Sequence, residues 1–286
     1  MPAGPFQPSD EVARAAARFD LVWRPRAGGG APGERLGRGA GASLEFADRR
    51  TYTPGDDVRH VDWRAFARSD QLLVRTYREE IAPRFDVVLD TSAALAVEEE
   101  KARGALDVAA LWIELARAAG FATRLTLAGD TWRSAGSGEV AQSGVTFDGR
   151  LDLERAFERA GGLPANGVRV VISDWFCASP ARAVLRRAFH GAAAGIAIAV
   201  RHTSESQPPL AGPVRLVDAR SGDARDVVVD EGRRARYLER LARHDAELEA
   251  EARRLGVALV TWPVPRPLDI AVRESLGPLG LVAALV

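Results

Sequence analysis

From Phe85 onward, short apolar runs alternate with longer amphipathic ones. The runs Phe85–Leu89, Phe121–Leu127, Val168–Ile172, Gly195–Val200 and Val257–Trp262 predict strands. Between them, Glu98–Ala119 (stopped by Gly120), Leu151–Arg159, Pro180–Phe189 and Arg233–Leu255 (stopped by Gly256) predict helices. Strands separated by helical segments imply βαβ crossovers, and hence a mainly parallel sheet covered on both faces. Val214–Val217 and Asp226–Val229 flank Arg220-Ser221-Gly222-Asp223, which predicts a hairpin inserted before the last long helix. The expected fold class is α/β: a doubly wound, Rossmann-like sheet with an N-terminal β-containing extension and an inserted hairpin.

Upstream the pattern is different. Ser9-Asp10 followed by Val12, Ala15, Ala16 and Phe19 predicts a short capped helix, leading to a strand-like Leu21–Trp23. Residues 27–42 are rich in Gly and Ala, without the Lys-Ser/Thr or the preceding apolar strand that a phosphate cradle needs. The chain therefore divides into an N-terminal segment, 1–84, and an α/β domain, 85–286. The last ten residues, Gly277–Val286, are nearly all apolar but too few to cross a bilayer, so they are expected to dock on the domain.

Charge narrows the function classes. The formal net charge is zero, and the basic residues, of which only Lys101 is lysine, are scattered among acids and alanines. Nucleic-acid binding would leave a clustered basic footprint, so it is not expected. A single cysteine, Cys177, excludes an intrachain disulfide and fits a reducing compartment. With no apolar segment of spanning length and no signal-like N-terminus, the expected location is the cytoplasm.

Two clusters carry candidate chemistry. Asp90 and Ser92 follow the first strand of the sheet; Ser173 and Asp174 follow Val168–Ile172. Parallel strands end on one edge, so neighbouring strands would bring these oxygens together, and hard cations such as Mg²⁺ (or Mn²⁺, Ca²⁺) take oxygen ligands. The plain alternative is that the Asp and Ser residues cap turns. The second cluster is Asp56, Asp57, His60 and Asp62, beside Arg49, Arg50, Arg59, Arg64 and Arg68. Pro54-Gly55-Asp56 reads as a turn, and Val58, His60 and Asp62 alternate with Arg59 and Val61 as in a strand leaving it. That set is read as an acid–arginine network or a partner surface before it is read as acid–base chemistry.

The residues also resemble a known pattern. Glu45-Phe46, Asp48, Arg50, Tyr52, Pro54-Gly55-Asp56-Asp57, Arg59, Asp62-Trp63, Ala67-Arg68 and Glu80 match the hallmark run of the bacterial family called domain of unknown function 58. Asp90-Thr91-Ser92-Ala93-Ala94 is similar to the D-x-S-x-S metal-ion-dependent adhesion site of von Willebrand factor A domains, with Asp174 in the place of that site's later acid. The resemblance implies a metal site on Asp90, Ser92 and Asp174. It is a degenerate one: Ala94 replaces the second serine, and the threonine of the third loop has no counterpart. Thr146 comes too early, and Arg150 or Asp152 occupies the place. Arg150 is considered as a substitute cation paired with Asp90. The resemblance further implies a non-enzymatic adaptor that assists a MoxR-type AAA+ ATPase in assembly or maturation of a client protein. Its contacts would come from Asp56, Asp57, Arg59, Asp62, Trp63, Trp175 and Phe176. The alternatives are a metal-assisted hydrolase using Asp90 and Asp174, and a purely structural interaction protein.

Overall fold

A computed structural model describes residues 5–22, 44–54, 56–57, 61–79, 84–160 and 163–285. The elements begin with α1 (Asp10–Ala16), β1 (Phe19–Leu21), β2 (Leu44–Thr51), α2 (Trp63–Ser69), β3 (Leu73–Glu79), β4 (Arg84–Asp90) and α3 (Glu99–Ala118). They continue with β5 (Ala122–Ala128), β6 (Trp132–Ala135), α4 (Ser137–Ser143), α5 (Leu153–Arg159), β7 (Val168–Ser173), α6 (Ala181–Ala188) and β8 (Ala194–His202). The last are α7 (Thr203–Ser206), β9 (Gly212–Val217), β10 (Ala224–Val229), α8 (Glu231–Leu255), β11 (Val257–Val264), α9 (Leu268–Ala271) and β12 (Val282–Ala284).

Six strands form the central sheet in the order β11-β8-β7-β4-β5-β6. Five run parallel, and β6 returns antiparallel to β5 at the edge. Counted along the chain within the sheet this is 3-2-1-4-5-6, the doubly wound order whose direction of growth reverses between β4 and β7. The mainly parallel sheet expected from the apolar runs is therefore present. Antiparallel β6 and helix α4 were not among the predicted elements. Each is short and carries mixed polarity, so neither leaves a periodic signal.

The strands read as continuous apolar runs because both their faces are covered. Phe85, Val87 and Leu89 of β4 pack with Val170 and Ile172 of β7 and Ile196, Ile198 and Val200 of β8 against the apolar side of α3. Alternate residues Val88, Val171, Ala197 and Ala199 face the other way, onto Leu153 and Phe157 of α5, Val184 and Leu185 of α6, and Leu248 and Ala252 of α8. The period-2 geometry of a strand thus divides one run of sequence between two cores.

Two compact units partition the chain: residues 1–28 with 83–286, and residues 29–82. The beginning of the chain, grouped by sequence with the segment before Phe85, is part of the α/β unit. Phe6, Val12, Ala15, Phe19 and Leu21 are buried in the α3-side core. Ser9 precedes α1 as expected, but its side chain does not cap that helix. Its backbone N–H and its Oγ donate instead to the two carboxylate oxygens of Asp107 on α3, at 2.7 and 2.8 Å. Strand β1 is closed by the C-terminal tail, β12 pairing with it antiparallel while Leu281 and Val282 are buried. Strands β9 and β10 form the predicted hairpin as a separate two-stranded sheet.

The smaller unit holds the antiparallel pair β2–β3 with α2 between them in sequence. Val61 bridges to Val74, and Asp62, expected in a strand, is not extended with it. Asp62 is the N-cap of α2, its carboxylate accepting from Arg64 N and Ala65 N at 3.2 and 3.1 Å. A capping carboxylate satisfies two backbone donors that the first helical turn cannot pair internally, which starts the helix at Trp63.

Candidate functional site

The site lies at the carboxyl edge of the sheet, where β4 and β7 are neighbours and the strand order reverses. Ligands of open α/β sheets bind outside such a point. Both strands end in the same device. Asp90 Oδ1 accepts from Ser92 N at 2.8 Å, and Asp174 Oδ1 accepts from Phe176 N at 3.0 Å. Each is an aspartate bonded to the backbone two residues on, which turns the chain away from the sheet. Ser173 joins the two ends: its Oγ donates to Asp90 Oδ2 at 2.6 Å and accepts from Trp175 N at 3.0 Å. Both aspartates thus sit in turns, and the two strand ends are joined directly through Ser173 and Asp90.

Burial sets the electrostatics. Asp90, Ser92, Ser173 and Asp174 are each 2% exposed or less. Desolvation, reinforced by the neighbouring charge of Asp174, pushes the Asp90 carboxyl up to about 6 against the lowering effect of the Ser173 and Ser92 hydrogen bonds. Ser92 Oγ is buried beside it and has no partner of hydrogen-bonding geometry among the described residues. Burial also pushes the Cys177 thiol up to about 12, which makes it a poor nucleophile.

A residue that the site reading had not included completes the arrangement. Lys101, in the first turn of α3, is buried, and its ammonium donates to Asp174 Oδ2 at 3.1 Å and to Glu205 Oε1 at 2.6 Å. The other Glu205 oxygen accepts from His202 N at 2.8 Å, closing a capping box at the start of α7. The Phe176 ring lies 5.7 Å from the Lys101 ammonium and 4.5 Å from the Arg201 guanidinium, with the His244 ring at 5.2 Å. Arg201 in turn donates to the Asp174 carbonyl and pairs with Asp245. On the same edge, Glu98, Glu100 and His202 bring ligand atoms within 4.8 Å of one another.

The remaining predicted residues fall as follows. Trp175 is 2% exposed, its indole N–H donating to Ile198 O at 2.9 Å, so it anchors the turn inward rather than facing a partner. Its φ of +61° is a costly conformation for a bulky residue, held here by the bonds on either side. Phe176 is half-buried over the two cations. In the smaller unit Trp63 is 60% exposed and Asp57 is exposed. Asp56 Oδ2 accepts from Thr53 N and Oγ1 within its turn, at 2.9 and 3.1 Å. Arg59 and His60 lie outside the described residues.

As a donor set for a divalent cation, the edge does not fit. Ala94 presents a methyl group. Thr146 lines a polar cavity of about 380 Å³ with Thr91, Asp130, Thr131 and Asp148, and neither Asp90 nor Asp174 lines it. Asp152 caps α5 through Arg155 N at 3.0 Å. Gly149, bridged to Ser92, supplies no hydroxyl to the third loop. Arg150, considered as the substitute cation, is exposed, and its backbone N–H is bonded to Asp130. The buried ammonium at this edge is that of Lys101, and it pairs with Asp174 rather than Asp90.

The sequence compares with known proteins as follows. Uncharacterized proteins of Mycobacterium tuberculosis (strain H37Rv) and Mycobacterium bovis are each 27% identical to it over 282 residues, covering 90% of this chain and 86% of the relative. The family described as "Protein of unknown function DUF58" matches residues 48–247, which take in most of the smaller unit and the whole Asp90–Lys101–Asp174 arrangement. On that match, the chain belongs to the DUF58 family.

Proposed function

We propose that the chain is a protein-binding adaptor with a von Willebrand A-like α/β unit, working in the cytoplasm beside a MoxR-type AAA+ ATPase in the assembly or maturation of a client protein. The observation that carries this reading is that Asp90 and Asp174 end neighbouring strands at the reversal of strand order with their oxygens already engaged by Ser92, Ser173, Phe176 and Lys101. Carboxylates held this way organise loops. A hydrolytic role would require them to open onto a substrate cavity, and the polar cavity lined by Thr91, Asp130, Thr131, Thr146 and Asp148 takes in neither acid. Recognition then falls to the loops that the buried acids hold in place, and to the exposed Asp57 and Trp63 of the smaller unit. Exposed aromatics with charged neighbours suit an interface anchor.

The test is affinity capture from a lysate of the native host, using the full chain, Asp90→Ala and Asp57→Ala, with circular dichroism to confirm folding. A AAA+ ATPase captured by the wild type and lost from a folded variant supports the adaptor. Identical partners for all three proteins would refute a role for these residues and favour a purely structural interaction protein.

A further inference from the structure

We propose that the Lys101 ammonium is the resident cation of the carboxyl edge, so that the Asp90–Asp174 site is organised without a divalent metal. This stands whether or not the edge binds an ATPase.

Geometry carries the inference. The Lys101 side chain is 3% exposed and lies between two carboxylates, Asp174 at 3.1 Å and Glu205 at 2.6 Å. A buried ammonium persists only when paired and hydrogen-bonded, and these acids supply both. Its charge is placed where a divalent ion bridging Asp90 and Asp174 would meet it at short range in a medium of low dielectric, and like charges there repel strongly. The oxygens such an ion would need are also engaged: both of Asp90 by Ser92 N and Ser173 Oγ, both of Asp174 by Phe176 N and Lys101. The Phe176 ring, with Arg201 against it, covers the ammonium.

Residue choice points the same way. The chain contains 39 Lys and Arg residues in all, and Lys101 is its one lysine. A guanidinium is a wide planar fork, whereas an ammonium is a compact point charge of roughly ion-like shape. In a chain that otherwise uses arginine throughout, the one buried position between two carboxylates at the site is occupied by the compact cation.

The experiment uses the full chain, with thermal melts and calorimetric titration of Mg²⁺ and Mn²⁺, on the wild type, Lys101→Ala, Lys101→Arg and Lys101→Met/Asp174→Asn. The wild-type melting temperature should not move in about 10 mM Mg²⁺ by occupancy of this site. Lys101→Ala, leaving two acids without their cation, should melt roughly 6–20 °C lower in chelator and recover part of that loss with Mg²⁺ or Mn²⁺. Lys101→Arg should not restore the wild-type value. If Lys101→Ala does not fold, the double variant decides: with the buried Lys101–Asp174 pair made neutral and only the more exposed Glu205 left charged, the fold should recover, and failure to recover it would overturn the proposal. Wild-type binding of either ion that is lost in Asp90→Ala and kept in His202→Ala would also overturn it. Binding lost in His202→Ala alone would place the ion on Glu98, Glu100 and His202 and leave Lys101 as the cation of the Asp90–Asp174 site.

Discussion

Asp90 is ionised at neutral pH against its surroundings. Burial and the charge of Asp174 raise its carboxyl from 3.8 to about 6, so folding favours the protonated form. The sign follows: the stability it contributes is full below about pH 4 and is lost as pH rises through about 6. Over that window the loss is on the order of 2–3 kcal/mol. Asp90→Asn keeps the acceptor for Ser92 N and removes the titrating charge, while its amide nitrogen cannot accept from Ser173 Oγ, so it should show a flatter pH dependence than the wild type between pH 4 and 8. Urea melts of both proteins across the window test this, and parallel curves would sink it. Such a residue is retained at a cost in stability, which is common where side chains serve a site. Trp175 carries a second cost in its left-handed backbone, on the order of 1–3 kcal/mol. Its indole fills the space between β8 and α6, stacking on Phe189 at 6.4 Å, which helps offset that strain.

At the level of elements, α3 does most to build the site, since it covers one face of the sheet and delivers Lys101 to its edge. Close approach to β11 depends on Gly104, where an added Cβ would lie 2.4 Å from Val264 Cγ1. Alanine there gains up to about 1 kcal/mol of helix propensity. Overpacking against a buried β-branched side chain costs about 1–3 kcal/mol, and the clash should win. Gly104→Ala is therefore expected to lower stability by on the order of 1 kcal/mol, read as a lower urea midpoint at unchanged slope. The elements that the sequence made legible are those with strong periodicity and punctuation. Helix α8 ends at Gly256, whose φ of +67° a side chain would oppose, and β4, β7 and β8 are apolar on both faces. Edge strand β6, the short α4 and α9, and the pairing of β12 with β1 left little trace. The partner of β12 lies at the other end of the chain, and propensity over three to seven residues does not distinguish such segments from loops.

For the whole molecule, a sheet edge organised by an internal cation should not depend on metal for its stability. The melting temperature of the full chain is expected to be the same in EDTA as in buffer, and a lower value in EDTA would count against a metal-free edge. Among the described residues no helix is long and apolar enough to cross a membrane. Sequence by itself determined the alternation of strands and helices, the two aspartates at strand ends, and the hallmark run by which the family can be recognised, because each is written in local pattern or fixed spacing. It also placed Ala94 where the adhesion-site resemblance implies a second serine. What it could not supply was the occupant of the site. Lys101 reads as one charged residue on a helix, with partners 73 and 104 residues further along. Only the doubly wound topology, which places α3 over β4 and brings β7 and β8 alongside, puts that ammonium between Asp174 and Glu205 and leaves it buried. Burial and pairing are properties of three-dimensional neighbours, and those decide whether the acids at this edge await a cation or already have one.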